Sequence, residues 1–343
     1  MWVAGHTEGG VPFGFTVDEF RRANARDAAG AGWARAKHVL ADLLELSCGP
    51  STRADVGFVK NIGQGLSRDI FAAEVVLRSE RGGSSGHFAV LLPRPDADAE
   101  LDARTRKELR LLERLGKQTL PFRVPEVVGA YPESGHLALV RQFLSGIELD
   151  LRAGRQPGVR PWETVGEIAA AIHAMPATQF DDFLPGHVTR REHTENALRV
   201  LENLDAPEAR DAHAWALAQL PRGEPTALVH GDLLGQNILL ALNDPPAVID
   251  WEYAVRGDPA YDLAIVTRGV KQPFQVERGL DKLLDAYYRH GGDQAVARDH
   301  VRVHELCLIA GWYRAALAGA GLHPADHELG RLRSLLIRCQ RRA

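Results

Sequence analysis

The hydrophobic pattern of this chain changes near Ser145-Gly146, and that change limits the folds open to it. From Val56 to Gln142 the apolar residues form short β-branched runs separated by glycine-rich segments, which predicts strands joined by turns. Beyond Gly146 apolar residues recur every three or four positions, which predicts helices. The pattern therefore predicts an α+β fold with a small β-rich N-lobe before a larger, mainly helical C-lobe.

The same pattern suggests where these parts begin and end. Gly63-Gln-Gly65 and Gly82–Gly86 separate the first three predicted strands, so we expect an antiparallel meander, followed by one helix over about 103–115. Helical spacing also runs from Thr16 to about Leu46. We expect a partly helical N-terminal extension over 1–50, an N-lobe over 51–143 and a C-lobe over 144–343. The predicted C-lobe helices cover roughly 161–175, 191–203, 206–219, 277–290, 297–319 and 326–342.

Composition narrows the classes of partner and compartment. The net charge is −4, so the chain has no basic field for nucleic acid or an anionic membrane, and small molecules are the expected partners. Cys48, Cys307 and Cys339 form no CxxC pair, which argues against a disulfide framework and a thiolate zinc site. The opening residues do not show a basic segment followed by the uninterrupted apolar stretch typical of a signal peptide, and no later stretch approaches the roughly 18 apolar residues of a membrane span. We expect a cytoplasmic protein, either a monomer or a homodimer.

A cluster of polar residues stands among short apolar runs in the helical part. His230-Gly-Asp232 follows the run ALV, Asn237 precedes ILL, and Asp250 comes at the end of AVI. Phosphoryl transfer needs a divalent metal on the nucleotide phosphates and a group that orients the acceptor hydroxyl. Mg²⁺ prefers a few carboxylate or amide oxygens beside phosphate and water. Asn237 and Asp250 can supply such oxygens, which leaves Asp232 for the acceptor.

This cluster resembles a known family. His230-Gly-Asp232-x4-Asn237 followed by Ile249-Asp250-Trp-Glu252 is similar to the aminoglycoside phosphotransferase and choline kinase family, whose fold is protein-kinase-like, and the likeness extends over most of residues 55–320. The resemblance implies a small-molecule kinase with ATP, or GTP, and Mg²⁺ as cofactors. It also implies that Asp232 is the catalytic base, that Asn237 and Asp250 bind Mg²⁺, and that His230 braces the loop. The alternative is a polar turn between buried strands.

A continuation of the motif follows at Gly257-Asp258-Pro-Ala-Tyr-Asp262-Leu-Ala. In the family the acids of this segment are mostly structural, so the resemblance implies that Asp258 and Asp262 are caps and loop anchors rather than catalytic groups. The ordered occurrence of all three segments behind a β-rich lobe makes coincidence improbable.

The resemblance also implies a phosphate-binding turn in the N-lobe. Gly63, Gly65 and Ser67 lie between two predicted strands, where backbone N–H groups can face phosphates. A GxG pair alone is better explained as an ordinary hairpin turn, and the resemblance to the kinase family is what favours a phosphate-binding turn.

One part of the family pattern is missing. The third strand usually carries a Lys or Arg that pairs with a helix Glu and with the nucleotide phosphates, but here it reads Phe88-Ala-Val-Leu-Leu-Pro-Arg94. Arg94 is the nearest cation, and Glu108 is its expected partner, with Glu113 as a second choice. Either Arg94 reaches the phosphates from a displaced position, or nucleotide affinity is lowered.

The segment that links the two lobes is expected to contact the base of the nucleotide. By the same resemblance, Gln142 and Phe143 are hinge positions whose backbone hydrogen-bonds adenine, although a buried strand end explains Phe143 equally well.

The acceptor is open at this stage, because the family acts on aminoglycosides, macrolides, choline, homoserine and other hydroxyl compounds. Our first hypothesis is an antibiotic kinase. The alternatives are a housekeeping metabolite kinase and a non-catalytic, pseudokinase-like binding protein. Five acids are able to line a pocket for a cationic antibiotic, but a solvated helical face is the preferred interpretation: Asp181, Asp182, Glu192, Glu195 and Glu202.

Overall fold

The computed structural model describes the backbone of residues 2–6 and 12–15, and residues 32–49, 52–64, 67–79, 82–268 and 274–341. It divides into two compact units, of which the first comprises Met1–Glu148 and Ile238–Glu252, and the second Leu149–Asn237 and Tyr253–Ala343. The first unit extends to Glu148, past the expected lobe boundary between 143 and 144, and it also includes the later segment Ile238–Glu252.

The N-terminal part contains β1 (Trp2–His6), which pairs antiparallel with β2 (Pro12–Phe15), and helix α1 (Gly32–Cys48). The helix agrees with the later half of the helical segment expected from Thr16, and residues 16–31 lie outside the described part of the chain.

An antiparallel five-stranded sheet in the order β3-β4-β5-β7-β6 forms the core of the first unit. Its first three strands form the expected meander. The predicted turn at Gly82–Gly86 is wrong, because these residues begin a strand and pair with Val75–Ser79. The strands are β3 (Arg53–Gln64), β4 (Arg68–Ser79), β5 (Gly82–Pro93), β6 (Val127–Glu133) and β7 (His136–Gln142).

The two faces of this sheet pack against different helices. Alternation along β5 sends Val90 and Leu92 to the face that packs on α1. Ala89 and Leu91 point to the other face, where they pack with Leu109 of helix α2 (Leu101–Leu115). The α2-facing side of the sheet is thus apolar through most of β5.

A three-stranded sheet completes the first unit. Its order is β11 (Ala247–Val248), β10 (Ile238–Leu240) and β8 (Ile147–Glu148). The pairing of Leu239 with Glu148 is what returns the segment Ile238–Glu252 to this unit. The strands approach closely at Gly146, where a Cβ atom would lie 2.9 Å from the backbone oxygen of Leu240.

The second unit is mainly helical. Its small β-structure consists of β9 (Ala227–Val229) paired antiparallel with β12 (Val255–Gly257). The helices are α3 (Pro161–His173), α4 (Arg190–Glu202), α5 (Pro207–Leu217), α6 (Ala260–Arg268), α7 (Gly279–Arg289), α8 (Arg298–Leu317) and α9 (Ala325–Gln340). A buried apolar core joins α4, α5, α8 and α9 through residues such as Leu198, Ala212, Ile309 and Leu335.

The six predicted helices of the C-lobe are confirmed, with small differences at their ends. Helix α6 was not predicted, because Gly257-Asp258-Pro signals a loop and the helix begins directly after it. In the described part of the chain, no helix has the length and apolar character that a membrane span requires.

Candidate active site

Asp232 lies in a short loop that follows β9 and leads into the 3₁₀ turn Gly235–Asn237. The loop turns sharply at Gly231, whose φ is +83° and where a Cβ atom would lie 2.3 Å from the backbone oxygen of Tyr253. Only glycine fits this position without strain. His230 is fully buried, and its Nδ1 accepts a hydrogen bond from the backbone N–H of Asp232 at 3.2 Å, so it braces the loop as expected.

The side chains of Asp232 and Asn237 are hydrogen-bonded to each other. Nδ2 of Asn237 donates to the backbone oxygen of Asp232 at 2.8 Å and to its carboxylate Oδ2 at 2.9 Å. Asn237 is 4% exposed, so its side chain is held in one orientation. Its Oδ1 receives no hydrogen bond from any described residue, which leaves a carbonyl oxygen available as a ligand.

The carboxylate of Asp262 anchors the loop by accepting hydrogen bonds from its backbone. Its Oδ2 accepts from the backbone N–H of His230 at 2.8 Å and its Oδ1 from that of Gly231 at 2.9 Å. His173 contacts the same carboxylate through Nε2 at 3.1 Å. Burial raises the pKa of Asp262, but the hydrogen bond and charge of His173, together with the charge and backbone N–H of His230, lower it by more, so the pKa lies below its usual range. The expected role of Asp262 as a loop anchor is confirmed.

Asp258 has a similar structural role at the start of α6. Its Oδ1 accepts from the backbone N–H of Ala260 at 3.1 Å, and its Oδ2 contacts His304 Nε2 at 3.1 Å. Burial raises the pKa of Asp258, but the hydrogen bond and charge of His304 outweigh it and lower the pKa to about 2. His193 Nδ1 accepts from the backbone N–H of Asp258 at 2.8 Å, which requires a neutral imidazole nitrogen. The expected capping role is confirmed.

Asp250 is in the first unit, after β11, and its backbone has φ +67°. Residues other than glycine rarely adopt this region, although Asp and Asn do so more readily than most. The next residue fixes the segment, because Trp251 is buried, donates from Nε1 to the backbone oxygen of Val248 at 3.1 Å and stacks on Phe122. A carboxylate on such a strained backbone is a candidate functional group.

The expected phosphate-binding turn is only partly described. Gly63 lies in β3, where its N–H donates to Asn61 Oδ1 at 3.0 Å, and Gly65 lies outside the described residues. Ser67 comes just before β4. Its hydroxyl accepts from Arg104 of α2 at 3.2 Å, and its backbone oxygen accepts from Arg94 N–H at 3.0 Å. The turn thus stands close to α2, and its role in phosphate binding stays a prediction.

The expected ion pair between Arg94 and Glu108 is wrong. Arg94 instead pairs with its neighbour Asp96, at 3.0 Å, and both side chains are accessible to solvent. Glu108 is fully buried and bonds to two other arginines, Arg68 of β4 at 2.8 Å and Arg141 of β7 at 3.2 Å. Arg94 follows Pro93 at the end of β5, so its side chain leaves the sheet before it can reach α2.

Arg68 is the residue that the sequence interpretation missed. It is 5% exposed, and its Nη2 also donates to Thr105 Oγ1 at 2.8 Å. Two signals in the sequence could have identified it. Arg68 alternates with Ile70 and so shares the α2-facing side of β4, and Glu108 stands one turn after Thr105 on the buried stripe of α2, where a carboxylate needs a cationic partner.

The expected hinge residues end β7. The N–H of Gln142 donates to Glu126 at 2.7 Å and that of Phe143 to His87 at 2.9 Å, both to backbone oxygens. These donors are therefore already engaged. A base bound at this segment would have to use carbonyl oxygens of Gln142 and Phe143 or N–H groups of the following residues.

Comparison with known proteins identifies the family. The sequence profile described as "Phosphotransferase enzyme family" matches residues 67–306. The chain belongs to the phosphotransferase enzyme family. The match includes Asp232, Asn237 and Asp250, and the family expected from the sequence motifs is thereby confirmed.

Solved structures support the same conclusion for the fold. The macrolide 2′-phosphotransferase MphH of Brachybacterium faecium is 23% identical, with 86% of this chain and 97% of that chain covered and a TM-score of 0.57. The complex of APH(2″)-IIIa with GDP and kanamycin is 14% identical, with 84% and 94% covered and a TM-score of 0.58. The expected α+β, protein-kinase-like fold is confirmed.

Curated relatives match over shorter segments. Homoserine kinase of Methylobacterium sp. (strain 4-46) is 30% identical over 138 residues, which cover 38% of this chain and 41% of that protein. The chain spans less than half the length of the curated relatives it matches, from 16% to 41%.

Proposed function

We propose that this protein is a phosphotransferase that moves the γ-phosphoryl group of ATP to a hydroxyl group of a small molecule, with Mg²⁺ as cofactor. The observation that carries the proposal is the hydrogen-bonded pair of Asp232 and Asn237 in a loop pinned by Asp262. Phosphoryl transfer depends on positioning and on electrostatic stabilisation, so a rigid loop with these side chains suits it.

Asp232 is the proposed base and orienting group. Its Oδ2 accepts from Asn237, so one carboxylate oxygen is fixed and the orientation of the whole group is set. The carboxylate would align an acceptor hydroxyl and take its proton as the oxygen attacks phosphorus. The pinned backbone at His230 and Gly231 keeps that carboxylate from drifting during turnover.

The donor chemistry of the proposed ligands suits Mg²⁺. Asn237 offers a carbonyl oxygen that accepts no hydrogen bond from the described residues, and Asp250 offers a carboxylate held by a strained backbone. Mg²⁺ takes one or two protein oxygens and completes its shell with phosphates and water. No cluster of three metal-binding side chains occurs among the described residues, and a site of this kind needs none. When bound, the ion neutralises charge on the phosphates.

The same proposal extends to the nucleotide. Gly63, Gly65 and Ser67 would face the phosphates, and Gln142 and Phe143 would contact the base, through their carbonyl oxygens rather than their engaged N–H groups. Because these base contacts would come from backbone atoms, both ATP and GTP fit the proposal.

The acceptor is proposed to be an antibiotic. The carboxylates of the second unit favour an antibiotic that needs few acidic contacts. Asp181 pairs with Arg256 at 2.7 Å, and Glu195 pairs with Arg191 at 2.8 Å. Glu192 completes the capping box of α4, and Glu202 lies 3.1 Å from His213. These carboxylates have partners within the protein, as expected for a solvated helical face. We therefore propose a macrolide, rather than a polycationic aminoglycoside, as the first candidate acceptor.

A second candidate is a metabolite kinase. The observation in its favour is the homoserine kinase match, since it reaches 30% identity, above the identity of the antibiotic phosphotransferase structures. Cys48, Cys307 and Cys339 are all free, which supports a reducing compartment such as the cytoplasm under either proposal.

The test is release of ADP or GDP by the purified protein with Mg²⁺ and each nucleotide, across macrolides, aminoglycosides, homoserine and choline. Asp232→Asn is the test variant and Asp205→Asn the control, because Asp205 is a fully exposed aspartate of the same unit. We expect one acceptor class to stimulate release, a loss of about 10²-fold or more in D232N, and no change in D205N.

Two results would contradict the proposal in different ways. Turnover retained by D232N would remove the role of Asp232 as base. Absence of stimulated release together with absence of Mg²⁺-nucleotide binding by calorimetry would favour a non-catalytic, pseudokinase-like binding protein.

A further inference from the structure

Strand β5 cannot supply a cation to the nucleotide from the side that faces α2. The positions on that side are Ala89 and Leu91, which lie in an apolar cluster with Ile70 and Leu139 of the adjacent strands. Arg94, beyond the strand end, pairs with exposed Asp96. In protein kinases this strand carries a lysine that pairs with a glutamate of the following helix and contacts the phosphates. The glutamate is present here as Glu108, but its expected cation is missing from β5.

The neighbouring strand fills that position. Arg68 opens β4 opposite Pro93 of β5, directly after the glycine-containing turn. Its guanidinium reaches α2 and holds Glu108 Oε2 through Nη1 and Thr105 Oγ1 through Nη2, each at 2.8 Å. Thr105 in turn donates to the backbone oxygen of Leu101 at 2.8 Å, so its lone pair is directed at the arginine. Arg68 is therefore fixed in one orientation by two acceptors on one helix.

Glu108 shares its carboxylate between two arginines, Arg68 and Arg141, and all three side chains are nearly or fully buried. Glu252 is the other acid near Arg68, and its Oε2 lies 4.0 Å from Nη1, within ion-pair distance but beyond hydrogen-bond distance. A buried guanidinium is costly unless its N–H donors find acceptors.

Arg68 also has a donor left over. Nε is buried and finds no hydrogen-bond acceptor among the described residues. Burial lowers the pKa of Arg68, but Glu108 and, more weakly, Glu252 and Asp250 raise it by more, so the guanidinium stays charged and lies within electrostatic range of the proposed metal ligand Asp250. A planar guanidinium with free donors suits the oxygens of a phosphate.

We propose that Arg68, positioned by Glu108 and Thr105, is the cation that binds the α- and β-phosphates of the nucleotide in place of the absent strand lysine. This inference rests on the proposed function, because it assumes a nucleoside triphosphate in the first unit. Arg141 donates to the other oxygen of Glu108, Oε1, and has no contact with Glu252 within ion-pair distance among the described residues.

The experiment compares ADP with adenosine, because only ADP carries phosphates. Dissociation constants for both are measured by calorimetry. The dissociation constant of adenosine divided by that of ADP gives the phosphate selectivity. Arg68→Gln removes the charge but keeps a polar N–H group for Glu108. We expect the selectivity of R68Q to fall about 10- to 100-fold, the range for charged hydrogen bonds, while its adenosine affinity stays within about threefold.

Two matched variants separate phosphate binding from loss of packing. Arg141→Gln removes the other partner of the same buried carboxylate, and Arg94→Gln removes the cation nearest to β5 in sequence. R94Q should change the selectivity by less than about threefold, because its ion pair is exposed, and R141Q should lower the selectivity by clearly less than R68Q does. A loss in R94Q or R141Q equal to that in R68Q would overturn the assignment. So would equal losses of ADP and adenosine affinity in R68Q, which is the result of a merely structural role.

A measurement on the unchanged protein covers the case in which R68Q does not fold. The Nε–H signal of Arg68 in a ¹⁵N NMR spectrum is assigned by its disappearance in Arg68→Lys. It should shift on addition of Mg²⁺-ADP and stay in place with adenosine. An Nε–H signal that does not shift although ADP binds would refute the inference. Failure of the unchanged protein to bind ADP and adenosine at all would instead refute the proposed function.

Discussion

The side-chain amide of Asn237 donates to Asp232 twice, to its backbone oxygen at 2.8 Å and to its carboxylate at 2.9 Å. The proposed metal ligand thus also orients the proposed base. This double role distinguishes Asn237 from a residue that only binds metal, and it makes the ionisation of Asp232 depend on the side chain at position 237.

Replacing Asn237 by aspartate should therefore alter the pH dependence of catalysis. The variant N237D keeps an oxygen ligand but places a second carboxylate against Asp232, and a like charge raises the pKa of its neighbour. The base is then protonated up to a higher pH. We expect the acid limb of the kcat/KM profile to move to higher pH by about one unit or more, with a fall in maximal rate.

The matched variant is Asn237→Ala, which removes the hydrogen bonds without adding charge. It should lower activity and move the acid limb to higher pH by less than N237D does, because the lost hydrogen bond favoured ionised Asp232 but no like charge is added. An unchanged limb in N237D would show that Asp232 is not the group whose ionisation controls the rate.

The close approach of backbone atoms at Gly231 leads to a second prediction. A Cβ atom there would lie 2.3 Å from the backbone oxygen of Tyr253, and φ is +83°. Gly135 has nearly the same φ, +85°, but nothing lies within 4 Å of its Cβ position. Gly135→Ala should therefore cost only the left-handed backbone penalty of about 1–2 kcal/mol. Gly231→Ala should cost clearly more and reduce kcat, because the backbone at Asp232 must shift.

Urea unfolding and kcat, measured for both variants, check this prediction. Equal losses of stability in G135A and G231A, with full activity in G231A, would mean that the close approach of Tyr253 does not constrain the loop.

The backbone at Asp250 leads to a third prediction. Asn tolerates the left-handed region nearly as well as Asp, so Asp250→Asn should keep the backbone conformation at this position. It removes the charge of a proposed metal ligand, so the Mg²⁺ concentration for half-maximal activity should rise about tenfold or more. Titration of activity with Mg²⁺ gives the result. Unaltered Mg²⁺ dependence would exclude Asp250 from the metal site.

The sequence predicted the parts of this protein that depend on local pattern. Alternation gave the five strands of the sheet, and three- and four-residue spacing gave six helices of the second unit, because both patterns reflect burial of one face. The functional motif was also legible, since Asp232 and Asn237 are five residues apart in one loop. The fold class and the family followed from these local signals.

The sequence did not predict features that depend on tertiary packing. Arg68 and Glu108 are 40 residues apart, and only the register of β4 beside β5 brings the arginine over α2. Arg94 was expected to pair with Glu108 because it is the nearest cation in sequence. That choice did not consider the face of the sheet to which each side chain points. The return of Ile238–Glu252 to the first unit was missed for the same reason, because it depends on strand pairing with Ile147–Glu148.

A final prediction concerns stability and pH. Burial and, next, the charge of His304 together lower the pKa of His193 to about 3, against the opposing effect of Asp258. In the unfolded chain its pKa is about 6.5. The folded state therefore resists protonation that the unfolded state accepts, so His193 supports stability fully above pH 6.5 and loses that support as the pH falls toward 3. Between pH 6.5 and 4.5 the loss is about 2–3 kcal/mol.

The variant His193→Asn tests this directly, since its Oδ1 can still accept from the N–H of Asp258 but cannot titrate. The free energy of unfolding of the original protein should fall from pH 6.5 to 4.5 more steeply than that of H193N. His87→Asn is the control, because that side chain is exposed on β5, and its slope should match the original. Parallel slopes for H193N and the original protein would mean that His193 accepts a proton in the folded state. The hydrogen bond from Asp258 would then break in weak acid, and the start of α6 would loosen with it.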